Sequence, residues 1–249
     1  MLDSWLDNFL SNKDLYPNRT GQGSVAAGEP SFGGRYDYNE EKDINTKNIG
    51  LGWLYYSFAR LYKPKIAVMI GLGRGFLPIL IAKGMKDNDI DCKAYFIDPS
   101  LDDDFWKDTQ KTKEWFNSFD VGNIIQHYLF TTQEFVNTDV YKGIDSIDLL
   151  CIDASHFYEF VKFDWGAFKD KLLENALILF HDTISRSKNP KWSGPRKVLL
   201  EILKDMELQS FDFKFGAGLT IVQKKYFEIK QEYIDKLENE WQDKDDSTF

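Results

Sequence analysis

Two hydrophobic patterns alternate along the middle of the chain. Short runs in which nearly every residue is apolar are followed by stretches with apolar residues at helical spacing, which is typical of buried parallel strands joined by helices. The runs predicted as strands are KIAVMI, CKAYFID, NIIQHYL, SIDLLCID and ALILFHD. The segments between and after them predict helices, namely GFLPILIAKGMK, FWKDTQKTKEWFNSF, TTQEFVN, YEFVKFDWGAFKDKLL and GPRKVLLEILKDM. The pattern therefore favours an α/β fold, a Rossmann-like doubly wound and mostly parallel sheet with helices on both faces.

The two ends of the chain depart from this alternation. FDFKF and LTIVQ alternate apolar and polar residues around GAG, which predicts an antiparallel C-terminal hairpin and brings the sheet to seven strands. Apolar residues at helical spacing from Ile44 to Tyr62 predict a helix, whereas the segment from about Tyr16 to Asp43 has no periodicity and suits a lid or a linker. We predict three parts: an N-terminal helix with a lid-like loop (1–45), the main α/β domain (46–225), and a C-terminal helix with a polar tail (226–249).

Composition narrows the environment and the partners. The 249 residues are 43% hydrophobic, as in globular proteins, and the net charge of −9 argues against nucleic acid or an anionic membrane as the main partner. No apolar run approaches the roughly 18 residues of a membrane span, and the acidic N-terminus does not resemble a signal peptide. Cys92 and Cys151 lie in or beside predicted buried strands, which favours reduced thiols and a cytoplasmic location.

Three glycines follow the first predicted strand, in VMIGLGRGFLPIL. Glycines at this point let a ligand approach the backbone and the N-terminus of the next helix. An aspartate, Asp98, ends the second strand, where a carboxylate can accept the hydroxyl hydrogens of a ribose. Phe76 stands where a dinucleotide fingerprint needs its last glycine, so the spacing favours S-adenosylmethionine over a nicotinamide dinucleotide. Tight turns without a ligand remain the alternative.

Ionisable residues also follow the fourth and fifth predicted strands. Asp153 and His156 come after the fourth strand, and His181 and Asp182 come after the fifth. Because parallel strands end at the same edge of a sheet, these four groups are expected to converge near the glycine loop. The alternative is structural, since Asp153 could cap the next helix and a His-Asp pair can form a polar turn.

The segment DLLCIDASHFYEFVKFDWGAFKDKLLENALILFHDT resembles the class I S-adenosylmethionine-dependent methyltransferases, in particular the small-molecule O-methyltransferases. The resemblance extends over roughly Lys65 to Lys224 and makes 46–225 a class I methyltransferase-like domain. It implies that S-adenosylmethionine is the cofactor and that the glycine loop holds its methionine end. The residues it implies for cofactor binding are Gly71, Leu72, Gly73, Gly75, Asp98, Pro99, Thr131, Thr132 and Asp153. Met69 occupies a position at which the family often has an acid.

The resemblance also implies a reaction. Methyl transfer needs an acceptor that is positioned and deprotonated, and His156 is the candidate base. Asp153 is the other candidate catalytic residue. In catechol-type relatives, acids at the positions of Asp153 and Asp182 bind metal, so the two carboxylates could hold Mg²⁺. Thr183 stands where those relatives often have an amide ligand. The candidate acceptor-binding residues are His181, Arg35, Tyr36 and Trp192.

The sequence thus predicts a methyltransferase that acts on a hydroxyl of a small-molecule acceptor. A NAD(P)-dependent oxidoreductase and a non-catalytic nucleoside-binding module remain as alternatives. The oligomeric state is left open, a homo-oligomer included.

Overall fold

The computed structural model describes residues 2–12, 49–71, 76–101, 104–184, 193–205, 207–214, 218–224 and 235. The strands are β1 (Ile66–Gly71), β2 (Lys93–Ile97), β3 (Ile125–Tyr128), β4 (Ile147–Asp153), β5 (Leu172–His181), β6 (Leu208–Phe213) and β7 (Leu219–Lys224). The α-helices are α1 (Leu2–Ser11), α2 (Gly52–Tyr62), α3 (Phe76–Lys86), α4 (Thr109–Ser118), α5 (Thr132–Phe135), α6 (Asp139–Lys142), α7 (Tyr158–Phe168) and α8 (Gly194–Asp205). Two 3₁₀ turns, Phe105–Lys107 and Lys169–Lys171, precede α4 and follow α7.

The seven strands form one sheet in the order β3-β2-β1-β4-β5-β7-β6. The first five are parallel, and β7 pairs antiparallel with both β5 and β6. After β3 the chain crosses back to place β4 on the other side of β1, so the switch point lies between β1 and β4. The predicted doubly wound sheet with a C-terminal antiparallel hairpin is confirmed.

Residues of the central strands face two separate hydrophobic layers, as strand alternation requires. In β1, Ala67 and Met69 pack in the layer that contains α1 to α4, whereas Val68 and Ile70 pack in the layer that contains α7 and α8. All four side chains are almost completely buried. A strand that is apolar on both faces therefore lies in the middle of the sheet. Its carboxyl end lies in the middle of the rim, which is the edge of the sheet formed by the carboxyl ends of the parallel strands.

Some element boundaries differ from prediction. The helix predicted from Phe105 begins only after Asp108, because the Asp108 carboxylate accepts hydrogen bonds from the amides of Gln110 and Lys111 and caps α4. The helix predicted to reach Leu173 ends at Phe168, and β5 begins four residues before the predicted strand.

Helix α1 packs into the layer that contains α2, α3 and α4. Phe9 is fully buried, and its ring meets Phe76 in a tilted contact and Phe119 in an edge-on contact, with ring centroids 5.2 Å and 5.7 Å apart. The Trp5 indole donates a hydrogen bond to the Phe119 carbonyl at 2.7 Å. The lid-like loop and nearly all of the predicted C-terminal helix lie outside the described residues, so both stay predictions. Among the described helices, none combines the length and apolar character needed to cross a membrane.

Candidate active site

The carboxyl ends of the parallel strands bring the predicted polar residues to one rim. Gly71, the last residue of β1, pairs with Asp153, the last residue of β4, and His181 ends β5 beside them. Asp98 follows β2 on the other side of β1. The expected convergence at the switch point is therefore present in the structure.

Two histidines and two aspartates form a connected cluster at the ends of β4 and β5. His156 Nε2 lies 2.6 Å from Asp182 Oδ2, and His181 Nδ1 lies 3.0 Å from Asp153 Oδ1. A contact of 3.5 Å between His181 Nδ1 and Asp182 Oδ2 joins the two pairs. The four side chains are 3% to 14% exposed. We call these four residues the acid–base cluster.

Backbone geometry directs His156 and Asp182 toward each other. Asp182 adopts the left-handed conformation, with φ of 54°, which aspartate tolerates better than most residues and which turns the chain directly after β5. On the other side, the Gly194 amide at the start of α8 donates a hydrogen bond of 3.0 Å to the His156 carbonyl. A Cβ at residue 194 would lie 2.3 Å from that oxygen, so the His156 loop needs glycine there.

The two carboxyl groups of the cluster differ in proton affinity. Burial raises the pKa of Asp153 to about 6, although His181 favours its charged form. Burial also opposes the charge of Asp182, but the two histidines outweigh it and lower the pKa of that carboxyl below its usual range. For His156, the hydrogen bond to Asp182 and the nearby carboxylates outweigh burial and raise the imidazole pKa. Asp182 is thus the carboxylate that keeps its charge beside an imidazole.

The structure excludes the capping alternative for Asp153. Phe157 occupies the N-cap of α7 and makes no side-chain capping bond, and its amide bonds the Ser155 hydroxyl instead. The Asp153 carboxylate contacts His181.

Thr183 faces a different network. Its hydroxyl is buried and lies 2.8 Å from the Thr220 hydroxyl, which donates to Asp212, and Asp212 accepts two hydrogen bonds from Arg196. Since the Thr220 hydrogen goes to Asp212, Thr183 is the donor to Thr220. This network ties the end of β5 to the terminal hairpin and to α8.

Gly71 has a structural requirement of its own. Its φ is +77°, and a Cβ there would lie 2.4 Å from both the Ala154 Cα and the Asp153 carbonyl oxygen. The close approach of β1 and the turn after β4 therefore demands glycine, whatever ligand lies beyond it. Three cofactor candidates of the same loop, Leu72, Gly73 and Gly75, lie outside the described residues, as do the acceptor-binding candidates Arg35, Tyr36 and Trp192.

The remaining cofactor candidates lie on the β2 and β3 side of the rim. Asp98 and Pro99 are partly buried directly after β2. Thr131 caps α5 in a reciprocal arrangement with Glu134, and Thr132 is buried. Thr132 has a partner that was not predicted, the carboxylate of Asp164 in α7. Asp164 is 3% exposed and accepts a hydrogen bond from Thr132.

Sequence reasoning missed three residues that shape this rim: His127, Asp164 and Gly194. Asp164 lies eleven residues after Asp153 on the apolar side of an amphipathic helix, and an acid at such a position could have signalled a buried partner. No local pattern marks Gly194, because the group that requires it belongs to another loop.

The donor set of the cluster fits a divalent cation. Asp153, His181 and Asp182 each offer one ligand atom, and these atoms lie within 4.8 Å of one another. An imidazole nitrogen beside two carboxylates suits a transition metal such as Mn²⁺ better than Mg²⁺, which prefers oxygen ligands. Thr183 is turned toward Thr220, so His181 stands as the third donor.

Comparison with known proteins agrees with this geometry. Residues 68–183 match a family model described as a methyltransferase domain. This stretch runs from β1 to just beyond β5 and contains the acid–base cluster together with Asp98. The match confirms the resemblance to methyltransferases that was predicted from the sequence. No curated protein sequence matches the chain.

Solved structures with low sequence identity share the fold. The O-methyltransferase TomG of Streptomyces achromogenes, in complex with S-adenosylmethionine, is 14% identical with a TM-score of 0.56, and the match covers 70% of this chain and 79% of TomG. The Podospora anserina methyltransferase PaMTH1, bound to S-adenosylhomocysteine, is 16% identical with a TM-score of 0.54 and coverages of 77% and 86%. An O-methyltransferase of Bacillus cereus, in complex with S-adenosylhomocysteine, is 13% identical with a TM-score of 0.55 and coverages of 70% and 80%.

Proposed function

We propose that the protein is an S-adenosylmethionine-dependent methyltransferase that methylates a hydroxyl group of a small molecule. The observation that carries the proposal is the 2.6 Å contact between His156 and Asp182 inside a methyltransferase domain. A hydroxyl is a poor nucleophile until its proton is removed, and a histidine oriented by a buried carboxylate is suited to remove it.

The roles within the pair follow from hydrogen-bond chemistry. A carboxylate only accepts, so His156 Nε2 carries the hydrogen that faces Asp182, and Nδ1 is the nitrogen that takes the proton of the acceptor hydroxyl. Asp182 fixes the tautomer and the ring orientation, and its charge stabilises the imidazolium that forms. The bound cofactor supplies an electrophilic methyl group, and the rim has to align that group with the acceptor oxygen.

The second pair of the cluster supports the first. His181 is 3% exposed, donates to Asp153 through Nδ1, and lies 3.5 Å from the Asp182 carboxylate. It therefore holds both acids at fixed distances from His156. We extend the proposal to the acceptor side, where Arg35, Tyr36 and Trp192 would complete the pocket around a small-molecule acceptor.

A divalent cation on Asp153, His181 and Asp182 is the second candidate for activating the acceptor. The spacing of the three donor atoms favours it. Such an ion, when bound, lowers the pKa of a coordinated hydroxyl. The base mechanism and the metal mechanism assign different roles to Asp182. In the first, its carboxylate accepts the hydrogen bond of His156, and in the second it binds the cation.

The decisive experiment is calorimetric titration with S-adenosylhomocysteine, followed by an assay of S-adenosylmethionine turnover over a panel of phenols, catechols and aliphatic alcohols. We expect micromolar binding of the nucleoside, no binding of NAD, and turnover with at least one hydroxyl compound. Binding of NAD alone would contradict the proposal.

Matched variants separate the base from the metal. His156→Gln should abolish turnover and keep nucleoside affinity, whereas Asp98→Ala should weaken nucleoside binding. Turnover that survives EDTA would remove the metal from the mechanism. Turnover that is lost in EDTA and returns with Mn²⁺ in preference to Mg²⁺ would support the Asp-His-Asp site.

The proposal also concerns the setting in which the protein works. The free thiols of Cys92 and Cys151 suit a cytoplasmic enzyme, and the net charge of −9 suits a small-molecule partner better than a nucleic acid or a membrane surface.

A further inference from the structure

His127 lies directly beside Asp98, although it is not one of the predicted site residues. It is the third residue of β3, opposite Phe96 of β2. Its Nε2 lies 3.0 Å from the Asp98 carbonyl oxygen. A carbonyl only accepts, so the imidazole donates from Nε2. The neighbouring Tyr128 carbonyl accepts the Asp98 amide hydrogen at 3.1 Å, so β3 holds both backbone polar groups of Asp98.

Ser100 restrains the side chain of the same aspartate. The Ser100 amide donates a hydrogen bond of 2.7 Å to Asp98 Oδ1. Ser100 is 4% exposed and has a φ of 56°, a left-handed conformation that a non-glycine residue adopts only when its surroundings hold it there. Those surroundings include the Trp106 amide, which donates to the Ser100 hydroxyl at 3.1 Å.

The contacts close into a ring. The Trp106 side chain is buried and packs against the His127 imidazole, with ring centroids 5.2 Å apart, and Phe96 packs on the imidazole at 5.1 Å. We call Asp98, Ser100, Trp106 and His127 the Asp98 clamp. Burial lowers the pKa of His127 to about 4, so the imidazole stays neutral and its hydrogen bond does not change across the physiological pH range.

We propose that His127 is a positioning residue for ribose recognition, acting by holding the backbone of Asp98 so that its carboxylate faces the ribose hydroxyls of the cofactor. This inference rests on the proposed function, because Asp98 is a ribose ligand only if a nucleoside cofactor binds. In this role His127 acts through Asp98 and not through a contact of its own with the cofactor. Its contribution is preorganisation: a carboxylate held in place loses no rotational freedom when the ribose arrives.

The test compares two substitutions of different chemistry at the same position. His127→Phe keeps an aromatic ring against Phe96 and Trp106 and removes the donor. His127→Gln places an amide nitrogen near the position of Nε2 and keeps the donor. For S-adenosylhomocysteine we expect a Kd raised by about 10-fold in H127F and restored to within about 3-fold of wild type in H127Q. In turnover, H127F should raise the KM for S-adenosylmethionine and leave kcat unchanged.

Two further measurements keep the outcome specific. In a D98A background, H127F should add no further loss, because the group that it positions is gone. An S-adenosylhomocysteine analogue without the ribose 2′-hydroxyl should show little difference between wild type and H127F. Equal Kd values for wild type and H127F, or equal losses in H127F and H127Q, would overturn the inference and leave the proposed function intact. A wild-type protein that does not bind S-adenosylhomocysteine would overturn both.

Discussion

His127 in the Asp98 clamp and His156 in the acid–base cluster each donate from Nε2 to an aspartate at the same rim of the sheet. His127 donates to a main-chain carbonyl, and burial lowers its pKa to about 4. His156 donates to a carboxylate, which raises its pKa despite burial. The charge of the hydrogen-bond partner therefore decides the role of each imidazole. His127 stays neutral and holds a backbone, whereas His156 can take up a proton.

The two regions also differ in what holds them. The clamp consists mainly of hydrogen bonds to backbone groups and of aromatic packing, which respond little to pH. The cluster consists of four ionisable side chains in contact, each of which changes the charge felt by the others. We expect substitutions in the clamp to alter cofactor affinity and substitutions in the cluster to alter turnover.

The largest expected effect is the loss of turnover when the proposed base, His156, is replaced. His156→Ala should lower kcat by about 10² to 10⁴-fold, because the acceptor hydroxyl loses the group that takes its proton. The affinity for S-adenosylhomocysteine, measured by calorimetry, should stay within about 3-fold of wild type, since the cofactor side of the rim is unchanged. Glu159→Ala is the control, because it changes an exposed residue at the start of α7 and leaves the His156–Asp182 pair in place.

The pH profile gives an independent check on the same residue. Only the neutral imidazole accepts a proton, so kcat should rise with pH, and the raised pKa of His156 places the midpoint above 6.5. A flat profile, or an H156A variant with wild-type turnover, would assign the base elsewhere.

The next effect concerns Asp164, whose side chain links α7 to Thr132. Burial raises its pKa to about 6, against about 3.9 in the unfolded chain, so the folded protein binds this proton more tightly. Its contribution to stability is therefore full below pH 4 and is lost as the pH rises through 6. Asn is neutral throughout, so the free energy of unfolding of Asp164→Asn relative to wild type should rise by about 2 to 3 kcal/mol between pH 4 and pH 7.

Urea unfolding at several pH values measures this difference. Asp170→Asn, at a position that lies outside the buried core, serves as the control and should show no comparable trend. A wild-type and D164N pair with parallel pH dependence would mean that Asp164 titrates normally.

Substitution of two glycines by alanine should change stability by smaller amounts and in opposite directions. Gly194→Ala places a methyl group 2.3 Å from the His156 carbonyl oxygen and should cost about 1 to 3 kcal/mol, with a loss of turnover because the His156 loop moves. Gly166→Ala, in the exposed part of α7, meets no atom within 4 Å and should stabilise the protein by up to about 1 kcal/mol. Thermal unfolding of both variants measures the contrast. A G194A protein as stable and active as wild type would contradict the close approach.

The smallest effect compares two helix caps. Thr131 accepts the Glu134 amide at the start of α5, and Thr138 accepts the Tyr141 amide at the start of α6. Substitution of either by Ala should cost about 1 kcal/mol of stability. Only Thr131→Ala should also weaken S-adenosylhomocysteine binding, because Thr131 is one of the residues predicted to bind the cofactor and Thr138 is not. Equal nucleoside affinity of the two variants would remove Thr131 from the cofactor site.

The sequence predicted the parts of this site that depend on strand ends. Apolar runs followed by Asp153, His156, His181 and Asp182 place those groups on one rim, because parallel strands end together. It could not predict which acid pairs with which histidine, since that depends on the left-handed turn at Asp182 and on the position of the His156 loop.

The contacts of the Asp98 clamp could not be predicted from the sequence, for a related reason. His127 lies in a predicted strand, where one polar residue among apolar neighbours carries no pattern, and its partner is 29 residues away. The role of Gly194 likewise arises from a contact with a loop that folds against α8 from an earlier part of the chain. Contacts of this kind follow from the assembled fold and not from local periodicity.

The position of β1 between β2 and β4 has a consequence for synthesis. While the chain leaves the ribosome, β1 can pair early with β2, but its other edge stays open until β4 has emerged, after α4, β3, α5 and α6. An unpaired apolar edge in a nascent chain is a site for wrong pairing and for chaperone binding. Pauses in translation shortly after β4 would therefore favour correct folding more than pauses before it.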